Sequence, residues 1–231
     1  MARATEKATG KLPDSFEDVA FALPLKLLRN RPLTVTAAAR GGELALTTDF
    51  VTPTGIKLGG PKTHFTGKVS AAGAREEALK NWESLKKPAA GKDFAVKAEA
   101  IYTAYFHGPS FQVLAGIAST SDKESLAVYR RPSTPLWATG GEALRFNPML
   151  IEAAFQACGY RDLHYTKRMT LPDSIGRVTV LETGEPPKEL LVWTRYKGAA
   201  GNEKSVYDAY VYDASGKLWV ALENYRMIAV S

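Results

Sequence analysis

The chain has little cysteine and little histidine, and each shortage narrows what it can do. One cysteine, Cys158, in 231 residues excludes an intramolecular disulfide and any cysteine-based metal cluster. Cys158 has apolar neighbours and reads as a small buried hydrophobe. No apolar run reaches the roughly 18 residues of a membrane span. The polar, basic start of the chain (residues 1–11) lacks the apolar segment of a secretory signal. A soluble, cytoplasmic protein with no membrane contact is therefore expected. No glycine-rich phosphate loop precedes a helix and no metal-ligand spacing occurs, so no cofactor or metal is expected on this chain. The three histidines, His64, His107 and His164, lie far apart.

Apolar residues make up 45% of the chain, enough for one large domain or two small ones. The net charge is +6, with a pI near 9.3, which suits an acidic partner. The basic residues are scattered (Lys26, Arg29, Arg31; Lys86, Lys87; Arg130, Arg131; Lys167, Arg168) with no arginine-rich tract and no aromatic-basic motif. Nucleic acid is not indicated, and an acidic carrier protein fits the charge as well.

Residues 1–14 are polar and read as a disordered lead-in. Residues 16–28 hold an apolar run broken by Pro24, an extended segment. Residues 33–39 and 43–51 flank Arg40-Gly41-Gly42 and read as a β-hairpin, and residues 63–70 as a further strand. Residues 74–87 place Ala78, Leu79, Trp82 and Leu85 at helical spacing and stop before Pro88-Ala89-Ala90-Gly91, the internal boundary. Residues 94–106 read as a helix or irregular turn, Gly108-Pro109 as a sharp change of direction, and residues 111–118 and 124–130 as strands. A loop containing Pro132, Pro135 and Gly140 follows. Segments 175–181, 189–196, 205–212 and 218–227 close the chain, the last two joined by an Asp213-Ala214-Ser215-Gly216 turn. Their alternation argues for a curved antiparallel sheet with one covered face.

Between these groups lies one short, mostly buried helix, residues 147–158. Asn147 is suited to cap it, Pro148 to its first position and Gly159 to its end. At a spacing of four, Glu152 and Gln156 share a face. Glu152 either sits on a solvated stripe, as charged residues mostly do, or is a buried carboxyl that needs a partner. One helix wrapped by one sheet is the layout of a hotdog fold.

Three local motifs then resemble the dehydratase domains of polyketide and polyunsaturated fatty acid synthases, which are double hotdogs. His107-Gly108-Pro109-Ser110-Phe111-Gln112 is similar to the family's Tyr-Gly-Pro-x-Phe-Gln segment, with His107 at the tyrosine position. Pro148, Glu152 and Gln156 fall on its Pro-x-x-x-Asp-x-x-x-Gln/His helix, with Glu152 at the aspartate position. Val211-Tyr212-Asp213-Ala214-Ser215-Gly216 and Tyr225-Arg226-Met227 resemble its closing hairpin and strand. The family's catalytic His-x-x-x-Gly-x-x-x-x-Pro motif is absent: after His64 the spacing to Gly67 is wrong, and Gly73 stands where proline is required.

The resemblance implies an α+β double hotdog with an incomplete first unit lacking its central helix, residues 15–91, and a second unit, residues 92–231. It implies a dehydratase that removes water from a 3-hydroxyacyl thioester on the phosphopantetheine of an acyl carrier protein. Glu152 is then the proton donor, its pKa raised by burial, and Gln156 its positioning partner. Gly108, Pro109 and Phe111 become substrate-binding, and His107 a stand-in for the missing base. His64 reads as structural and His164 as a loop residue without a role. Tyr102, Tyr105, Tyr160, Trp137 and Trp193 read as core or channel lining. The alternatives are a non-catalytic hotdog module that binds an acyl thioester or scaffolds a synthase dimer, and a thioesterase or cyclase using the same carboxylate. A homodimer or a partner synthase domain is expected to cover the apolar face of the first unit.

Overall fold

The computed structural model describes residues 1–26, 33–49, 51–52, 54–57, 59–89, 93–132, 144–201 and 203–230. Leu28, Gly91, Pro135, Trp137 and Gly140, which belong to segments named above, lie outside the described residues.

The chain opens with helix α1 (Ala2–Thr9), which Gly10 ends in the left-handed conformation, φ 72°. Strands β1 (Ser15–Phe21), β2 (Val35–Arg40), β3 (Glu43–Thr48) and β4 (Lys62–Val69) follow, then helix α2 (Ala74–Ser84), the two-residue β5 (Val96–Lys97) and helix α3 (Ala98–Ala104). A single 3₁₀ turn, Pro109–Phe111, leads into β6 (Leu114–Thr120) and β7 (Glu124–Arg130). Helix α4 (Pro148–Thr166) precedes four long strands, β8 (Thr170–Val180), β9 (Glu189–Ala199), β10 (Lys204–Tyr212) and β11 (Leu218–Ala229). All eleven strands form one sheet in the order β2-β3-β4-β1-β8-β11-β10-β9-β7-β6-β5. The two halves join where β1 pairs antiparallel with β8, Phe16 opposite Val178.

The hairpin at Gly41-Gly42 forms as the sequence predicts, because both glycines take positive φ, 55° and 87°, which a two-residue turn between twisted strands requires. Alternation in β10 sends Ala209 and Val211 into the main core with α4. Tyr210 and Tyr212 go to the other face, into a second cluster with Trp82 of α2. The sheet is thus covered on both faces where α2 lies, and the Trp82 indole N–H donates to the Gly216 carbonyl at 2.9 Å.

Helix α4 packs against β6 through β11, with Leu150, Ala153, Ala154, Ala157 and Cys158 at most 1% exposed. Burial of a side chain such as Leu150 contributes about 2 kcal/mol. The curved sheet around α4, with a second, smaller unit built on β1–β4, is a double hotdog of the α+β class.

Four expectations are corrected. The lead-in is helix α1, whose Thr5 is buried, whose Glu6 pairs with Arg145 at 2.7 Å and whose first residues pack on the main core; these tertiary contacts leave no local pattern. Because α1 lies on β2, the first unit has a helix of its own. Gly159 does not end α4, which continues to Thr166 and stops at Lys167 with φ 59°. A Cβ at Gly159 would lie 3.0 Å from the Tyr105 hydroxyl, so this glycine serves close packing. His164 consequently sits in the last helical turn, not in a loop. No described helix is long and apolar enough to cross a membrane.

Candidate active site

Asn147 caps α4, its Oδ1 accepting from the Met149 N–H at 3.0 Å, and Pro148 occupies the first position, where a missing N–H leaves nothing unpaired. One turn further, the side chains of Glu152 and Gln156 meet: Gln156 Nε2 donates to Glu152 Oε1 at 2.8 Å. Its second amide hydrogen goes to the Phe111 carbonyl at 2.7 Å. Gln156 Oε1 accepts from the Tyr102 hydroxyl at 2.8 Å, and that hydroxyl accepts from the Leu114 N–H at 2.7 Å. A relay from the β6 backbone through Tyr102 and Gln156 therefore holds the carboxyl in one place. Burial pushes the Tyr102 phenol up to about 12, partly offset by the Leu114 N–H, so it remains a donor at neutral pH.

His107 approaches from the segment after α3, its Nε2 3.1 Å from Glu152 Oε1. Gln112 Nε2 holds the His107 carbonyl at 3.1 Å, and the ring stacks on Phe106 with centroids 4.7 Å apart. Its Nδ1 is buried and has no hydrogen-bond partner. The turn that places Phe111 against Gln156 closes through the Phe111 N–H to the Gly108 carbonyl at 2.9 Å, which explains the Gly-Pro pair.

These groups share one cavity of about 370 Å³, with Phe111, Phe155, Met169, Leu171 and Met227 among its walls. It lies at the small end of ligand pockets, and its lining is apolar apart from Tyr105, His107, Glu152, Gln156 and Thr170. Phe106, 73% exposed, stands at its edge. The structure brings together Glu152, Gln156, His107, Gly108 and Phe111; Pro109 is exposed and does not line the cavity, because it starts the 3₁₀ turn.

Tyr102 and Tyr105, the latter donating to the Gln156 carbonyl at 2.8 Å, were expected only as core or channel lining. Tyr102 lies in α3 and Tyr105 directly follows it, and no local signal marks which of several tyrosines meets α4. His64 lies in β4 with both ring nitrogens bonded, to Thr48 Oγ1 at 2.8 Å and to the Leu23 carbonyl at 3.1 Å, away from the cavity. Cys158 is fully buried, and burial drives its thiol well above the ordinary range, which rules out a thiolate nucleophile. Among the described residues no cluster of His, Cys, Asp and Glu could hold a metal ion.

The hotdog helix thus presents a positioned carboxyl and a histidine to a largely apolar cavity. The sequence model described as the polyketide synthase dehydratase N-terminal domain matches residues 84–231, and the chain belongs to that family. Among solved structures it is similar to GphF dehydratase 1, at 16% identity over 100% of this chain and 81% of that one, with a TM-score of 0.73. A trans-AT polyketide synthase dehydratase domain from Brevibacillus brevis matches at 18% identity over 100% and 83% of the two chains, TM-score 0.71. The dehydratase domain of PpsC from Mycobacterium tuberculosis, solved in complex with C12:1-CoA, matches at 19% over 99% and 80%, TM-score 0.68. No curated protein matches the chain.

Proposed function

We propose that this domain removes water from a 3-hydroxyacyl thioester, carried on the phosphopantetheine arm of an acyl carrier protein, to give a 2-enoyl thioester. The observation that carries this reading is the relay of Leu114, Tyr102 and Gln156, which fixes the Glu152 carboxyl in an apolar cavity beside His107. Dehydration needs a proton for the leaving hydroxyl, and a positioned carboxyl supplies it. Glu152 is that group. Gln156 fixes its orientation, Phe111 and Gly108 border the acyl chain, and the net charge of +6 suits an acidic carrier protein. A partner synthase domain or a second copy covers the first unit, which size-exclusion chromatography of the isolated chain tests; a well-folded monomer counts against it.

The direct test is water loss from a 3-hydroxyacyl carrier-protein thioester by the wild type and by Glu152→Gln. Turnover by the wild type that Glu152→Gln leaves unimpaired would show the assignment of Glu152 to be wrong. A second reading rests on one sequence fact: none of the three histidines lies in a His-x-x-x-Gly-x-x-x-x-Pro motif. On that reading the domain is a non-catalytic module that binds acyl thioesters, and it shows saturable binding of the same thioester with no turnover.

A further inference from the structure

The proposed dehydration leaves open which group takes the α-proton, and the hydrogen bonds around His107 bear on it. A neutral imidazole carries one N–H and one lone pair. Placed on Nδ1, the hydrogen would be a buried donor with no acceptor, a rare and costly state. Protonating both nitrogens leaves the same orphan. Placed on Nε2, it donates to Glu152 Oε1 at 3.1 Å, and only an acceptor lone pair goes unmet. The neutral Nε2–H form follows, and its one basic lone pair, on Nδ1, is shut away from the cavity. A histidine in this state cannot remove a proton from a bound substrate.

Glu152 is in the complementary condition. Its Oε1 accepts from both His107 Nε2 and Gln156 Nε2, while Oε2 takes part in no hydrogen bond among the described residues and the side chain is 21% exposed. We infer that Glu152 performs both proton transfers, with His107 a positioning residue that donates to it. The carboxylate Oε2 removes the α-proton, and the C–H electron pair passes to the thioester enolate. The enolate re-forms the carbonyl and the Cα–Cβ double bond as the Cβ–O bond breaks, and the departing hydroxyl takes the proton that Glu152 has just acquired. Products are the 2-enoyl thioester and water, and the carboxylate is restored with no other reactant. This inference rests on the dehydratase reading.

Besides His107, the titratable groups felt by Glu152 are Tyr102 of α3 and Tyr225 of β11, both raised by burial and therefore neutral over the working pH range. One group doing both transfers gives a kcat/KM profile that rises to a plateau with pH, whereas a histidine base with a carboxylic acid donor gives a bell. The probe is 3-hydroxyoctanoyl-pantetheine. With it, Glu152→Gln is expected to lose about a thousandfold or more and His107→Ala about thirtyfold, and His107→Gln, whose amide N–H can reach Oε1, to recover most of the latter loss. Nitrogen-15 NMR of the labelled resting protein is expected to show His107 protonated on Nε2. A bell-shaped profile, a His107→Gln variant as inactive as Glu152→Gln, or a proton on Nδ1 would each overturn the single-carboxylate cycle alone. A wild type that binds the probe without turning it over would overturn the dehydratase reading, and the cycle with it.

Discussion

The two ends of α4 each hold a carboxyl group, and their surroundings differ: Glu152 lines the cavity and Asp162 does not. At the N-terminal end, Glu152 lines the cavity, with one oxygen held by two donors and the other without a hydrogen bond among the described residues. At the C-terminal end, Asp162 is 0% exposed. Its Oδ1 accepts from the Tyr207 hydroxyl and from Arg161 Nη1 at 3.3 Å, its Oδ2 is buried with no hydrogen-bond partner among the described residues, and it does not line the cavity that Glu152 lines. Arg161 also donates to the Asp122 carbonyl and lies over the Tyr196 ring at 3.7 Å, so this end ties the helix to the sheet. A carboxyl with one unpaired oxygen therefore does not by itself mark a site; a cavity lined by that carboxyl and an amide that fixes its other oxygen set Glu152 apart.

The comparison breaks if the two carboxyls exchange roles on mutation. Glu152→Gln is expected to cut dehydration about a thousandfold, equivalent to about 4 kcal/mol of barrier, with a urea midpoint close to wild type. Asp162→Ala leaves the Tyr207 hydroxyl and Arg161 without their shared acceptor and is expected to destabilise the fold by about 3 kcal/mol, read by denaturant unfolding, while turnover per folded molecule is kept. Loss of turnover without loss of stability in Asp162→Ala would erase the distinction. Gln156→Leu removes the amide between Tyr102 and Glu152, and kcat is expected to fall about thirtyfold, or about 2 kcal/mol, with KM little changed.

Tyr102→Phe, one step further from the carboxyl, is expected to lose less than about tenfold. It also carries a pH signature. The phenol is raised to about 12 in the fold from about 10 in an unfolded chain, so the unfolded state loses the proton first and stability declines as pH rises from 10 through 12. Tyr210 and Tyr212, also raised to about 12 by burial, add to the decline. Alkaline unfolding followed by circular dichroism should be shallower in Tyr102→Phe than in wild type.

Much of this was legible in the residues, for identifiable reasons. Hairpins with Gly41-Gly42 and Asp213 to Gly216 declare themselves because turn geometry demands those residue types. Glu152 and Gln156 could be paired because a spacing of four on a helix is a distance in space. Gly159 misled, since a glycine that ends a helix and one that admits a tyrosine hydroxyl look alike in sequence. The His107 contact with Glu152 could be suspected from the Gly-Pro motif but not its direction of donation, which depends on what surrounds Nδ1. The part played by Tyr102 was hidden because it depends on how α3 docks against α4 and β6.

The pairing of β1 with β8 sets a timetable for synthesis. Residues Ser15 to Ala20 pair with Ser174 to Thr179, so a growing chain exposes one edge of β1 until its partner leaves the ribosome. At ordinary elongation rates that wait is on the order of ten seconds. The first unit emerges early with an unpaired strand edge, a template for unwanted pairing with neighbouring chains, and the second unit supplies the strand that closes it. Nascent chains halted before residue 170 should therefore be more readily cut by protease within residues 15–21 than the released full-length chain.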